Sequence, residues 1–489
     1  MNKANPCQLL REQFSQLSSG RHLADLLDDF FYSCSSKQEK AVTNLLQERK
    51  EFFAVYQKYV SQLLVDWYGS DEIKDQIDFE SSGRVVIKGS LFDGFDFASG
   101  KKTINHFPSI IRKVEGDLML VKAEISSLDY LEEVGTLNLA LSTVESARRL
   151  KRVNHRLRLT ECKIRNLSSL EFVGGNLVAR SVRELEQMEN LRFVGGNLNI
   201  QDSSIKKLPE LIRVNGIFYA VSAKDFSAAP KLKIVGSDFY LPPWISDLSS
   251  LETVKGDFLA EHVGGLQTAP KLKVVGGDFN VSNSLIISFP ELTEIKGDAQ
   301  LKDAQLLESL AELREVGGSV FLNGSSHIES MPKLVKVHGV FDARGAVNLR
   351  DLSQLVEVER GMYLINTGIN NLSKLERVGN YLYLENCVKL EVLPNLIEVD
   401  GVLCLTGSNV KRLPDLIKSG RLRITNVAFS SFQKAFPKLE TVTSGTRDFA
   451  VFVSEDHFIE EVKELVAQGK LDVQGAVKKQ QTKYKRKLS

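Results

Sequence analysis

Between about residue 85 and residue 450 the apolar positions of this chain recur on a fixed beat. The stretches LTECKIRNLSSLEFVGGNLVA, IQDSSIKKLPELIRVNGIFYA and LENCVKLEVLPNLIEVDGVLCL share one pattern. It is L-P-x-L-x-x-V-x-G-x-L-x-L-x-x-(S/T/C)-x-I, with a period of about 20 to 21 residues. An anchor valine marks each unit, from Val114 and Val134 through Val254 and Val275 to Val378 and Val399, with Ile295 in the same place. About sixteen units follow one another. Within a unit the L-x-L run sends alternate side chains to one side of a short strand, so Leu157 and Leu159, or Leu403 and Leu405, point inward. This predicts one clear strand per coil. Glycines such as Gly216, Gly256 and Gly297 stand just before that strand, where the backbone must turn or pack closely. Most prolines share one slot, among them Pro209, Pro270, Pro290 and Pro414, two residues ahead of a leucine. A fixed φ and a missing N–H suit a turn there. A unit this short cannot bury its own apolar side, so stacking must close the core.

Both ends of the chain change to a helical pattern. Residues 1–84 are expected to form a helical N-terminal domain, either a bundle covering the first coil or a separate docking domain. Ser36 and Glu39 make a capping box ahead of Val42, Leu45, Leu46, Phe53, Tyr56, Val60, Leu63, Leu64 and Trp67, which recur at helical steps, and Gly69 is the stop. Shorter helices are expected around Leu9–Leu17 and Leu23–Phe31. The repeat array spans 85–453, and 454–470 is predicted as a C-terminal capping helix with Ser454 as N-cap. Residues 471–489 form a basic tail with almost nothing to bury.

The repeat resembles the leucine-rich-repeat family. Leu157-Arg158-Leu159-Thr160-Glu161-Cys162-Lys163-Ile164 fits that family's L-x-L-x-x-N/C-x-L core, and Leu198 to Ile205 and Leu403 to Val410 fit it with Ser at the small polar position. The V-x-G-x-L upstream carries an extra residue and a glycine. That variant is similar to the L domains of receptor ectodomains and to glycine-containing bacterial repeats. The resemblance implies an α/β solenoid with a parallel β-sheet face, used to bind other molecules.

Composition narrows the function. Lys plus Arg (63) nearly equals Asp plus Glu (62), so no global charge argues for nucleic acid or a membrane surface. The five cysteines, Cys7, Cys34, Cys162, Cys387 and Cys404, are scattered and never form C-x-x-C, which disfavours a disulfide framework or a zinc site. The seven histidines make no H-E-x-x-H or H-x-H, so no metal is expected, and no other cofactor is implied. Cys162 and Cys387 fill the small polar slot of the repeat, while Cys404, between Leu403 and Leu405, is expected to face outward. Neither a signal peptide nor an apolar run of membrane-spanning length is visible, which suggests a cytoplasmic protein or one exported by another route.

Two outward columns flank the inward leucine. One carries Asn176, Asn197, Ile217, Asp238, Asp257, Asp278, Asp298 and Ser319. The other carries Asn199, Tyr219, Tyr240, Leu259, Asn280, Gln300, Phe321, Asp342, Tyr363 and Tyr383, with Tyr381 beside them. Coils lie about 4.8 Å apart, so stacked carboxylates repel unless something compensates. Either the Asp and Asn residues bond a neighbouring backbone N–H, or the columns form an acidic and aromatic recognition surface for a basic protein. The first function implied is a non-catalytic protein-interaction scaffold. A bacterial effector acting on a host protein is the alternative, and a β-helix-type glycan-binding or glycan-cleaving protein a further one. No catalytic residues are assigned, because the aspartates are spread along the stack and no catalytic domain follows the array. Lys478, Lys479, Lys483, Lys485, Arg486 and Lys487 could hold nucleic acid or anionic lipid only weakly.

Overall fold

A computed structural model describes residues 50–81, 83–92, 106–443, 449–453 and 455–479. The chain divides into two compact units, Met1–Ala229 and Pro230–Ser489. Each is built as a parallel β-solenoid, and the chain holds about 16 turns at a spacing of about 21 residues. The described regular structure is mostly strand, with helices at Lys50–Tyr68, Phe432–Ala435 and Asp456–Ala467.

One coil of the second unit shows the construction. Thr253–Val254 pairs in parallel with Val274–Val275, Phe258–Leu259 with Phe279–Asn280, and Thr268 bridges Ser288. The coil therefore contributes to three ladders, against the single strand expected from L-x-L. The anchor valine is itself a strand residue, and two-residue strands are stable here because each pairs with coils on both sides. Val254, Phe258, Ala260, Val263, Leu266, Ala269 and Leu272 fill the interior, none more than 1% exposed. Burying a Val, Leu or Phe side chain yields about 1.5–3 kcal/mol, so each added coil is held by its neighbours rather than by itself.

The corners have two devices. In L-P-x-L the N–H of the second leucine returns to the carbonyl of the first, as from Leu211 to Leu208 at 3.3 Å, with Pro209 at the turn position its fixed φ suits. The prolines are thus turn residues, as their slot implies. The corner after the L-x-L strand holds a left-handed residue in many coils, including Asp202, Asn283, Asn366 and Gly407, and also Leu141 at φ 60°. Asn, Asp and Gly enter that region readily, and Leu does not.

In the first unit, helix α1 (Lys50–Tyr68) ends at Gly69, whose φ is 81° and whose N–H bonds the Val65 carbonyl at 2.7 Å. Tyr56, Val60 and Leu64 are buried along one of its faces. The region expected to be helical to residue 84 becomes strand sooner: Ile77–Phe79 pairs antiparallel with Val85–Ile87, which opens the parallel stack. The Ser36 capping box and the helices predicted at Leu9–Leu17 and Leu23–Phe31 lie outside the described residues.

In the second unit a helix does occur where the capping helix was expected, at Asp456–Ala467, and Phe458 and Val462 are buried on it. Its N-cap is Glu455, which makes no side-chain cap bond; Ser454 is outside the described residues. The helix does not end the fold. Asp472–Gln474 pairs with Thr441–Thr443, and Ala476–Lys479 pairs with Phe449–Val453. Residues 472–479 thus extend the ladders, and Lys478 and Lys479 belong to a strand, not to a tail. The helix is an insertion within a coil, which hid the period from the sequence pattern.

Candidate interaction face

The Asp and Asn column is a hydrogen-bond ladder. In the first unit Asn176 Oδ1 accepts the N–H of Asn197, and Asn197 Oδ1 that of Ile217, both at 2.9 Å. In the second unit Asp238 Oδ1 accepts from Asp257 at 3.0 Å, Asp257 from Asp278 at 2.7 Å, Asp278 from Asp298 at 2.7 Å, and Asp298 from Ser319 at 2.6 Å. Each side chain therefore satisfies the backbone of the equivalent residue one coil on.

The repeat glycine belongs to the same device. A β-carbon on Gly256, Gly277, Gly297 or Gly318 would stand well under 3.0 Å from Oδ1 of Asp238, Asp257, Asp278 or Asp298 respectively. Glycine leaves the gap through which the preceding coil's carboxylate reaches the next N–H. V-x-G-D is one mechanism repeated, with Phe239, Phe258 and Phe279 completely buried behind it. Phe258 and Phe279 stack at 5.6 Å, and Phe289 meets Phe279 edge-on at 4.9 Å, which gives the acidic column a close-packed floor.

Only one oxygen of each carboxylate serves the ladder. Among the described residues no cation pairs with Asp238, Asp257, Asp278 or Asp298. The column thus presents four uncompensated negative charges on consecutive coils.

The second column continues without a break through the second unit. Tyr240, Leu259, Asn280, Gln300, Phe321, Asp342, Tyr363 and Tyr383 occupy equivalent positions in successive coils. The Tyr363 and Tyr383 rings stack at 5.3 Å and 10°, and Tyr381 lies 6.0 Å from Tyr383. The Arg344 guanidinium lies 5.5 Å from the Tyr363 centroid, and Lys302 lies 5.1 Å from that of Phe321. Tyr219 stands beside Asn199 in the corresponding column of the first unit.

Two residues depart from expectation. Asp342 is buried, at 5% exposure, and grips Arg344 through contacts at 2.6–3.1 Å while accepting from Asn323 at 3.1 Å. Burial alone would raise its carboxyl, but the Arg344, backbone and Asn323 bonds outweigh it and hold the group below the usual carboxylate range. Its carboxylate is engaged by Arg344 and Asn323 rather than open on the outward face. Cys404 sits in the outward column as predicted but is covered completely, bonding Glu385 at 3.1 Å.

The thiols of Cys162, Cys387 and Cys404 are pushed up to about 11 by burial, the opposite of what a nucleophile needs. Cys7 and Cys34 lie outside the described residues. A cavity of about 450 Å³ in the first unit is lined by Glu80, Arg112, Glu132 and Arg152, among others, and part of its charge is paired internally: Arg112 bonds Glu80 at 2.7 Å and Glu132 at 3.0 Å. Among the described residues no group of His, Cys, Asp and Glu could hold a metal ion, and no helix is long and apolar enough to cross a membrane.

The sequence pattern missed Arg344, Arg421 and Arg423. Arg344 follows Asp342 by two residues, at the turn after the strand Phe341–Asp342, where its backbone N–H and guanidinium both reach the Asp342 carboxylate, and that i, i+2 acid–base spacing was the available signal. No protein-family model matches this chain, and no curated protein matches it.

Proposed function

We propose that this protein is a non-catalytic scaffold that binds a protein partner through the outward face of the L-x-L ladder in the second unit. Asp238, Asp257, Asp278 and Asp298 favour a basic partner, and Phe321, Tyr363, Tyr381 and Tyr383 supply anchoring area. The observation that carries this reading is that the ladder needs an oxygen, not a charge. Asn176 and Asn197 do the same structural work as neutral amides. Four successive aspartates add repulsion that the fold does not require, and a cationic partner would relieve it.

A protein fits this face better than a glycan. Sugars stack on an open ring face, whereas the faces of Tyr363 are taken by Tyr383 on the next coil and Arg344 on the preceding one. Aromatic side chains held in this way lose little entropy on binding, which suits hot-spot contacts. We further read the coil as a glycine-containing variant of the leucine-rich repeat, on the strength of its L-x-L-x-x-(C/S)-x-I core.

The test is capture from an extract of the source cells by immobilised full-length protein. It is compared with a variant carrying Asp238→Asn, Asp257→Asn, Asp278→Asn and Asp298→Asn, and with Tyr363→Ala/Tyr383→Ala. Asn keeps the ladder and removes the repulsion, so circular dichroism should be unchanged and the melting temperature should not fall. A partner retained equally by the intact protein and both variants would refute the assignment.

A further inference from the structure

The outward column does not stop at Tyr383. It runs on through Cys404, Arg423 and Phe452 to Lys478, with Arg421 beside it in register with Val402. The same face therefore carries aspartates at one end, aromatic rings in the middle and the cations Arg421, Arg423 and Lys478 at the other end, where Arg423 also lies 3.9 Å from Glu385. We propose that the occupant of this face is a second copy of the chain, docked antiparallel about a two-fold axis at the Tyr363 coil. The proposal rests on the binding role given to this face above and names its partner.

The register supplies the argument. From Tyr363, five coil steps lead through Asp342, Phe321, Gln300 and Asn280 to Leu259, whose coil carries Asp257. In the other direction, five steps lead through Tyr383, Cys404, Arg423 and Phe452 to Lys478. An antiparallel copy centred on Tyr363 therefore sets Asp257 against Lys478 of the other molecule. It sets Asp298, three steps from the centre, against Arg421 and Arg423, three steps the other way. The two-fold axis repeats both contacts, as an isologous interface requires. At the centre the Tyr363 stack would meet its own copy, and Gly361 keeps the position before it narrow.

The size also fits. Eleven coils, each about 4.8 Å deep, by a strand width of about 15 Å give about 800 Å² per copy, near the roughly 1,600 Å² total of a standard stable interface. Other occupants of this face match one end only. A basic segment would answer the aspartates alone, whereas a second copy brings its own cations to them and its own aspartates to Arg421, Arg423 and Lys478.

Sedimentation equilibrium of the full chain tests this at low and high salt. The intact protein should be dimeric at micromolar concentration and should weaken as salt screens the end contacts. Asp257→Asn/Asp278→Asn/Asp298→Asn and Arg421→Gln/Arg423→Gln/Lys478→Gln should each weaken the dimer by about tenfold or more. An equimolar mixture of the two variants should associate more tightly than either alone, since one complete acidic-to-basic contact returns in the mixed dimer. A purely structural effect of the substitutions would not produce that rescue. A monomeric intact protein, a dimer indifferent to both variants, or a mixture no tighter than its components overturns the proposal. A monomer that still captures a basic protein, and loses it on the Asn substitutions, overturns self-association while leaving the partner-binding function standing.

Discussion

Gly277→Ala tests the coupled glycine–aspartate device most directly. The new β-carbon would collide with Asp257 Oδ1 and would lie 2.9 Å from the Gly256 carbonyl carbon and 3.0 Å from the Asp257 nitrogen. Two losses follow. Asp257 must release the Asp278 N–H that it holds at 2.7 Å. A charge-assisted bond contributes about 1.5–3 kcal/mol, and the exposure of Asp278 places this one near 1.5. The backbone of the preceding coil must also shift, at about 1–3 kcal/mol for overpacking. Reduced freedom of the unfolded chain returns about 0.4–1 kcal/mol, so the net expected loss is about 2–3 kcal/mol. Gly264→Ala is the control, because its nearest neighbour would be Leu285 Cδ1 at 3.8 Å; it should be neutral or slightly stabilising. In an Asp257→Ala background the carboxylate is already gone, so Gly277→Ala should lose about 1.5 kcal/mol of its effect, whereas an Asp257→Asn background should leave the effect whole. Denaturant unfolding measures the total, and hydrogen exchange of the Asp278 amide measures the local bond. If Gly277→Ala is as silent as Gly264→Ala, or costs the same with and without the Asp257 side chain, the reasoning is wrong.

Two other predictions follow from single sites. Leu141→Gly should change stability by less than about 1 kcal/mol, because relief of a leucine held at φ 60°, about 1–2 kcal/mol, offsets the loss of a half-covered side chain and the greater freedom of glycine in the unfolded chain; a loss of about 2 kcal/mol or more, as for an ordinary half-buried leucine in relaxed backbone, would contradict this. Asp342 has a folded-state carboxyl held below its unfolded value, so its contribution is fully present above about pH 4 and is lost as pH falls through the lower folded value. Acid titration of stability should therefore flatten in Asp342→Asn, and an unchanged acid limb would argue against the Arg344 clamp.

The solenoid was legible because its cause is periodic. Inward Leu, Val and Phe must recur once per coil to meet their neighbours, and the proline turns recur with them. The strand at the anchor valine was not legible, since two residues cannot show alternation and their bonds come from coils about 20 residues away. The final coil escaped notice because the helix Asp456–Ala467 interrupts its spacing. The Asp column admitted both a bonding and a recognition reading, and only distances such as 2.7 Å from Asp257 to the Asp278 N–H could establish the bond. Exposure was the least legible property. Position in an outward column predicts direction, yet Asp342 is covered through its contacts with Arg344 and Asn323, and Cys404 is covered where it bonds Glu385.

The ladder also bears on how such a surface changes over generations. Asparagine and aspartate codons differ by a single base, and at each rung of this column the two side chains offer the backbone the same acceptor. A lineage can therefore move one unit of charge on or off any coil whose rung is Asn or Asp by one mutation, at little cost to the ladder. Selection on what the face touches is then nearly independent of selection on folding, and the tally of negative charge along the stack can drift, or be tuned, in steps of one.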